Sequence, residues 1–242
     1  MNDLDKILVR QSAERLYQEG QPIWSPDDRW NVYKRSRISK FATMLAKPII
    51  DAAPRILDAG CGSEPYSWLP ERTVSFDKFH GQIKGRSSPV AGDLERLPFG
   101  DRTFDLVVCV ASVLNYVSAA EAIQELSRVV RPGGHLLIHY ETSTSFEHLF
   151  SSRWGKPVVR IDTINNGEDD TLWVYNPNYI NALLGANGFR IVKDDHFHIL
   201  SALALRFGLK QGPAAFFASA DRFVGAAWMF SDDVITLVEM PP

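Results

Sequence analysis

Two glycines and a small set of carboxylates are the residues in this chain whose types and spacing could do chemistry. Gly60 and Gly62 lie in RILDAGCGSEPYSWL, residues 55–69, where an apolar strand pattern runs into a glycine turn and the expected start of a helix near residue 65. Glycine has no Cβ, so such a turn brings backbone close to a ligand and offers it unpaired N–H groups, which suits a nucleotide. The dinucleotide fingerprint G-x-G-x-x-G is incomplete, because Pro65 stands in the third glycine's place. Asp58 precedes the turn, and Asp77 and Asp93 follow it at the ends of later strand patterns. His139 and Glu141 sit near the end of a fifth strand. His139 is the candidate general base there, with a hydrogen-bonded core histidine as the alternative. Cys61 has no histidine nearby in sequence to activate it and reads as a small packing residue inside the turn.

The elements that must position these residues follow a simple alternation. Strand patterns cover residues 55–59, 73–77, 89–92, 104–110 and 135–140, with a helix over 118–130. Ser118 and Glu121 have the spacing of a capping box, and Arg131-Pro132-Gly133-Gly134 stops that helix. Asn176-Pro177 opens a later helix that ends at Gly188, followed by the strands FRIVKDDHF and DVITLVEM. The pattern implies a largely parallel sheet covered on both faces, with ligands at the carboxyl ends of the strands. Two helices precede it. The first, over 3–18, has Leu4, Ile7, Leu8 and Leu16 as its apolar positions. The second, from about 30 to 50, has Val32, Ile38, Phe41, Leu45 and Ile49, and the loop GQPIWSPDDRW joins the two. Residues 1–54 therefore read as an N-terminal helical cap and 55–242 as the main domain. Insertions fall at about 142–175, where VVRID and TLWVY flank the turn NNGEDD, and at about 200–229, an apolar helical stretch that suits a lid, a dimer face or core.

The segments LDAGCGSEPY, SFDKF, GDLERLPFGDRTFDLVVCVASVLNYV and RVVRPGGHLLIHYE, in this order and spacing, resemble the class I S-adenosylmethionine-dependent methyltransferase family. The resemblance implies an α/β, Rossmann-like, doubly wound seven-stranded sheet with its last strand antiparallel. It also implies S-adenosylmethionine as cofactor and a family that tolerates a residue such as Pro65 in the third glycine's place. By resemblance, Asp58 helps hold the turn and the cofactor's amino group, the backbone of Gly60 and Gly62 approaches the methionine part, Asp77 accepts the ribose hydroxyls, Asp93 and Leu94 address the adenine, and Ala111 at the end of the fourth strand reaches the methionine part; Ala59, Cys61 and Lys78 are expected among the cofactor-binding residues. Asn115 and Tyr116 stand where related sequences often carry Glu-His, a departure on the acceptor side. Asn115, Tyr116, Trp154 and Tyr175 are the candidate acceptor contacts, and the GCGS-x-PY form of the turn points to O-methylation of a sugar or secondary metabolite. The competing readings are a noncatalytic protein that binds the same cofactor and an NAD-type oxidoreductase using the same turn. Arg35 and Arg37 read as solvated helix charges.

The resemblance implies a small-molecule acceptor as partner, and composition disfavours a nucleic-acid one. A formal charge of -3 over 242 residues provides no basic field for nucleic acid. Two cysteines without ligand spacing suggest neither a disulfide framework nor a metal site, and fit a reducing cytoplasm. The tract from Phe197 to Phe230 is interrupted by charges too often to span a membrane, and the N-terminus has no apolar signal core. A homodimer stands as an alternative to a monomer.

Overall fold

The computed structural model describes residues 2–17, 27–165 and 168–242. Seven strands form one sheet in the order β3-β2-β1-β4-β5-β9-β8. They are β1 (Ile56–Ala59), β2 (Val74–Asp77), β3 (Pro89–Ala91), β4 (Phe104–Cys109), β5 (Val130–Glu141), β8 (Arg190–Phe197) and β9 (Asp233–Glu239). The first five run parallel, and β9 lies antiparallel between β5 and β8. This is the expected doubly wound sheet with a reversed last strand. The inserted hairpin also forms, as β6 (Val158–Asn165) paired antiparallel with β7 (Glu168–Tyr175). Part of its turn, like most of the loop between the first two helices, lies outside the described residues.

Strand side chains alternate between two cores, as the period of two requires. Leu57, Val107, Cys109, Leu136 and Ile138 face one, closed by α4 (Ala119–Val129), α5 (Pro177–Ala186) and the hairpin. Ile56, Leu106, Val108, Leu137 and Ile235 face the other, closed by Ile38, Phe41 and Ile50 from α2 (Arg29–Phe41) and α3 (Lys47–Ala52). Both faces of β1 and β4 are covered, and every position in these two strands is buried, Asp58 and Asp105 included.

Several local expectations are corrected. No helix follows the glycine turn; residues 61–73 form bends and turns. Pro65 and Pro70 each remove a backbone donor, and too few residues lie between them for a helix to establish itself. The capping box at Ser118 does not form. The Ser118 N–H is taken by Glu95 Oε1 at 2.6 Å, while Glu121 faces Lys6. Pairing of β4 with β5 jumps from Phe104–Val130 to Leu106–His135, so Arg131 to Gly134 bulge out within the strand rather than precede it. On α1 (Asp3–Tyr17), Leu4 and Ile7 are exposed and Val9, Ser12 and Ala13 are buried. A π-turn over Ala42–Ala46 shifts the second helical face, burying Ala46 and Ile50 in place of Leu45 and Ile49.

The second insertion is built from α6 (Ile199–Arg206), α7 (Gln211–Ala214) and two 3₁₀ stretches, Ala215–Phe223 and Gly225–Phe230. Among the described residues no helix is long and apolar enough to cross a membrane, and no group of three or more metal-ligating side chains converges.

Candidate functional site

The glycine turn is fastened to the end of β2. Gly60 and Cys61 N–H both donate to Phe76 O (2.8 and 3.0 Å), and Gly62 N–H donates to Asp77 Oδ2 (3.1 Å). The turn thus presents no row of free amides, and no helix N-terminus stands behind it, so a pyrophosphate finds neither of its usual partners here. What the missing Cβ of Gly60 allows is packing. Its φ is +81°, and a Cβ there would overlap both Cγ atoms of Val113. On the outer side Arg35 donates to Pro65 O (2.9 Å) and lies over the Tyr66 ring, so this arginine braces the turn. Arg37 pairs with Asp195.

Beside the turn, at the carboxyl ends of β1, β2 and β4, opens a cavity of about 250 Å³. Gly60, Cys61 and Gly62 form one edge; Asp77, Lys78, Phe79 and Gln82 another; Asp93, Leu94 and Glu95 a third. Ala111, Val113 and Tyr116 come from the segment after β4, and Trp173 from the hairpin. Asp77 is almost fully buried. Its Oδ1 accepts Phe79 N–H (3.0 Å), and burial pushes its carboxyl above the ordinary range. Asp93 Oδ1 accepts Glu95 N–H (3.0 Å). Cys61 is buried, and desolvation pushes its thiol up to about 12, which suits packing rather than attack.

Helix α1 forms the remaining wall, which the sequence reading missed. Lys6, Arg10, Ala13 and Tyr17 all line the cavity, and Arg10 Nη2 donates to Asp93 Oδ2 at 2.8 Å. Their spacing of four, three and four residues marks one helical face, a signal masked by the apolar residues on another. Tyr17 and Tyr116 meet hydroxyl to hydroxyl (3.0 Å), and Tyr116 donates to Asp170 Oδ2 (2.6 Å). Ser12 Oγ donates to the other Asp170 oxygen (2.9 Å). Asp170 is buried, with no ion-pair partner among the described residues, and desolvation raises its carboxyl above the usual value.

Other expected site residues lie elsewhere. Asp58 faces Arg86 (3.1 Å) beneath the turn rather than the cavity, and burial pushes its carboxyl up to about 7 against the pull of that arginine. Ala59 is buried in the core. Asn115 is fully enclosed and stitches Glu141 to Trp173 through three backbone contacts. Tyr175 donates to Val117 O (2.6 Å) inside the core, and Trp154 packs near Phe230 on the surface. His139 is fully buried and away from the cavity: its Nδ1 accepts Ser112 N–H (3.0 Å), and its Nε2 lies 3.0 Å from Asp233 Oδ1. Full burial away from the cavity leaves it no route to an acceptor proton.

His139 belongs to a sealed polar cluster. Lys34 reaches Glu141 (2.6 Å) and Asp233 (3.1 Å), and His198 Nδ1 meets the second Asp233 oxygen at 2.6 Å under the stacked ring of Trp30. Burial alone would lower the Lys34 ammonium, but Asp233 and Glu141 outweigh it and hold it above its usual value. Burial alone would raise Asp233, but Lys34 and the two histidines hold it well below. The cluster fastens Ser112, whose Oγ donates to Glu141 (2.8 Å); Ala111 and Ser112 both carry positive φ, 64° and 63°. Two successive left-handed non-glycine residues cost about 1–2 kcal/mol each and persist only where surroundings over-determine them.

The family model described as a methyltransferase domain matches residues 57–138. The demethylmenaquinone methyltransferase of Mycobacterium tuberculosis (strain ATCC 25618 / H37Rv) is 42% identical over 71 residues, 29% of this chain and 30% of that protein. The chain thus spans under a third of that relative's length. Among solved structures, the Burkholderia thailandensis 1,6-didemethyltoxoflavin-N1-methyltransferase, with bound 1,6-didemethyltoxoflavin and S-adenosylhomocysteine, aligns with a TM-score of 0.56 at 13% identity. That alignment covers 98% of this chain and 88% of that one. The cyclase SpnF aligns with a TM-score of 0.52 at 20% identity, covering 84% and 82%. The cavity fits S-adenosylmethionine: carboxylates at the ends of β2 and β3 face it, apolar walls flank it, and the buried Oε1 of Gln82 has no hydrogen-bond partner among the described residues. Strand order, reversed last strand and glycine turn agree with the methyltransferase domain matched over residues 57–138, and over that stretch the chain is similar to class I S-adenosylmethionine-dependent methyltransferases.

Proposed function

We propose that this chain is a methyltransferase that moves a methyl group from S-adenosylmethionine to a hydroxyl-bearing small molecule. The observation that carries the reading is convergence: the glycine turn, Asp77, Asp93 and Ala111, far apart in sequence, border one cavity. In this reading Asp77 accepts the ribose hydroxyls and Asp93 and Leu94 address the adenine. Ala111 and Val113 bound the methionine side. Asp58 acts from beneath the turn, through Arg86. The cofactor supplies an electrophilic methyl group, so the protein's tasks are alignment, exclusion of water and removal of the acceptor proton. His139 cannot take that proton. The phenol pair Tyr17 and Tyr116 can, passing it to Asp170, a buried carboxylate with no ion-pair partner among the described residues. Trp173 and Tyr116 in the wall support a flat aromatic acceptor, such as a secondary metabolite, over a sugar.

A second reading, cofactor binding without methyl transfer, draws on the likeness to SpnF, a [4+2]-cyclase. Calorimetric titration with S-adenosylmethionine, S-adenosylhomocysteine and NADH comes first: binding of the sulfur nucleotides alone is expected, and binding of NADH alone overturns both readings. Release of S-adenosylhomocysteine with a panel of phenols and sugars then separates transfer from binding.

A further inference from the structure

The second insertion wears its side chains inside out. Ala202, Ala214, Ala215 and Ala218 are buried, whereas Phe216, Phe223 and Phe207 are 64%, 74% and 78% exposed, and Trp228 and Met229 are about half exposed. Soluble surfaces carry single exposed apolar residues routinely, but not a run of large aromatics over small buried ones. Phe150, 89% exposed, joins them, because Arg206 Nε donates to Leu149 O (3.2 Å) at the end of α6.

The charges are as one-sided as the aromatics. Between residues 199 and 230 the chain has Arg206, Lys210 and Arg222 exposed, and its one acid there, Asp221, is buried accepting the N–H groups of Ile199 and Leu200. Arg29, which follows Asp27 and Asp28 in sequence, lies 4.1 Å above the Phe216 ring. The face also has a definite place. It links the end of β8 to the start of β9, and Asp233 pairs with Glu141 at the carboxyl end of β5. It therefore crowns the same edge of the sheet as the cavity.

We propose that this face docks the protein on an anionic phospholipid surface, with the phenylalanines and Trp228 entering the headgroup boundary and the cations meeting lipid phosphates. Aromatic anchors set among basic residues are what an interfacial segment needs, since apolar burial and attraction to anionic lipid add. A second copy of this chain fits less well: a two-fold contact through this face would set Arg206, Lys210 and Arg222 against their own copies, with no exposed acid between residues 199 and 230 to meet them. The inference stands independently of the methyl-transfer reading.

Flotation of the full chain with phosphatidylcholine vesicles, alone or mixed with phosphatidylglycerol, tests it. The wild-type protein is expected to float with the anionic vesicles at least about tenfold more tightly than with neutral ones, and to be released as salt rises. Phe207→Ser combined with Phe223→Ser, at positions already exposed, removes anchors without opening the core. Circular dichroism is expected to be unchanged and anionic-vesicle binding to fall about tenfold or more. Lys210→Gln with Arg222→Gln is expected to erase the preference for phosphatidylglycerol. No flotation with anionic vesicles overturns the proposal. So does binding indifferent to the phenylalanine pair, or a dimer on sizing that those substitutions convert to monomer.

Discussion

Two regions at the carboxyl edge of the sheet hold similar numbers of ionisable groups and use them in opposite ways. Around the cavity, Asp77, Asp93, Gln82 and the Tyr17–Tyr116 pair line open space, and Gln82 Oε1 has no hydrogen-bond partner among the described residues. A few residues along the same edge, Lys34, His139, Glu141, His198 and Asp233 are closed on one another, and Asp233 and the two histidines have no exposed surface. A charged or titratable residue at a strand's carboxyl end is thus a poor guide to chemistry until its partners are counted. The open set can receive a ligand. The sealed set spends its hydrogen bonds on holding Ser112, and through it the strained turn that gives the cavity Ala111 and Val113.

The sharpest way to break the comparison is where the two regions touch, at Gly60 beneath Val113. Gly60→Ala adds a Cβ into the Val113 methyls on a backbone with φ of +81°. Strain of about 1–2 kcal/mol and overpacking of about 1–3 kcal/mol together predict roughly a hundredfold or greater loss of S-adenosylhomocysteine affinity, with a lower melting temperature. Gly85→Ala is the control. Its φ is nearly the same, +80°, but nothing lies near the added Cβ, so only the backbone cost of about 1–2 kcal/mol should appear, in stability and not in affinity. Equal affinity losses in both variants would detach the cavity from the Val113 contact.

His139 sharpens the comparison from the sealed side. Its Nδ1 accepts Ser112 N–H, so the neutral ring carries its proton on Nε2, toward Asp233. Asn at this position can place an oxygen near Nδ1; Gln reaches toward Asp233 but leaves the Ser112 amide bare. His139→Gln should therefore weaken S-adenosylhomocysteine binding about tenfold, the worth of one buried hydrogen bond, and His139→Asn by no more than about twofold. A catalytic base would show the reverse signature, with binding kept and turnover lost in both. Burial holds this imidazole below its usual pKa, so the unfolded chain takes up its proton more readily than the folded one. The stability it contributes is fully present above about pH 6.5 and drains away as pH falls from there through the folded value. Melting curves of His139→Asn should lack that slope.

How much of this was legible depended on the range of the signal. Strand runs such as FDLVVC and the reversed DVITLVE announce themselves through local composition, and the glycine turn with Asp77 and Asp93 follows from their ends. The helix expected after the turn failed for an equally local reason, two prolines five residues apart. The sealing of His139, by contrast, rests on Lys34, Ser112 and Asp233, drawn from three other elements, and no spacing along the chain encodes that meeting. Asn115 and Tyr175 were misplaced the same way: polar side chains beside a site look like ligands until their backbone partners are seen. Asp170, ordinary in the hairpin sequence, gains its character only from Ser12, Tyr116 and burial.

The smallest expected effect concerns the lip of the open region. Arg10 Nη2 occupies Asp93 Oδ2 at 2.8 Å, the oxygen left over after Glu95 N–H has taken the other. Both side chains are well exposed, 56% for the arginine and 34% for the aspartate. Such a pair contributes at most about 1 kcal/mol. If Asp93 receives the adenine amino group, Arg10 competes with that donor, and Arg10→Ala should tighten S-adenosylmethionine binding by about two- to threefold, with the gain shrinking as salt screens the pair. A loss of affinity of the same size would mean that the arginine belongs to the cofactor's cradle. Asp93 would then serve to aim Arg10 from β3's end toward the cofactor, and α1 would be a binding element in its own right rather than a wall.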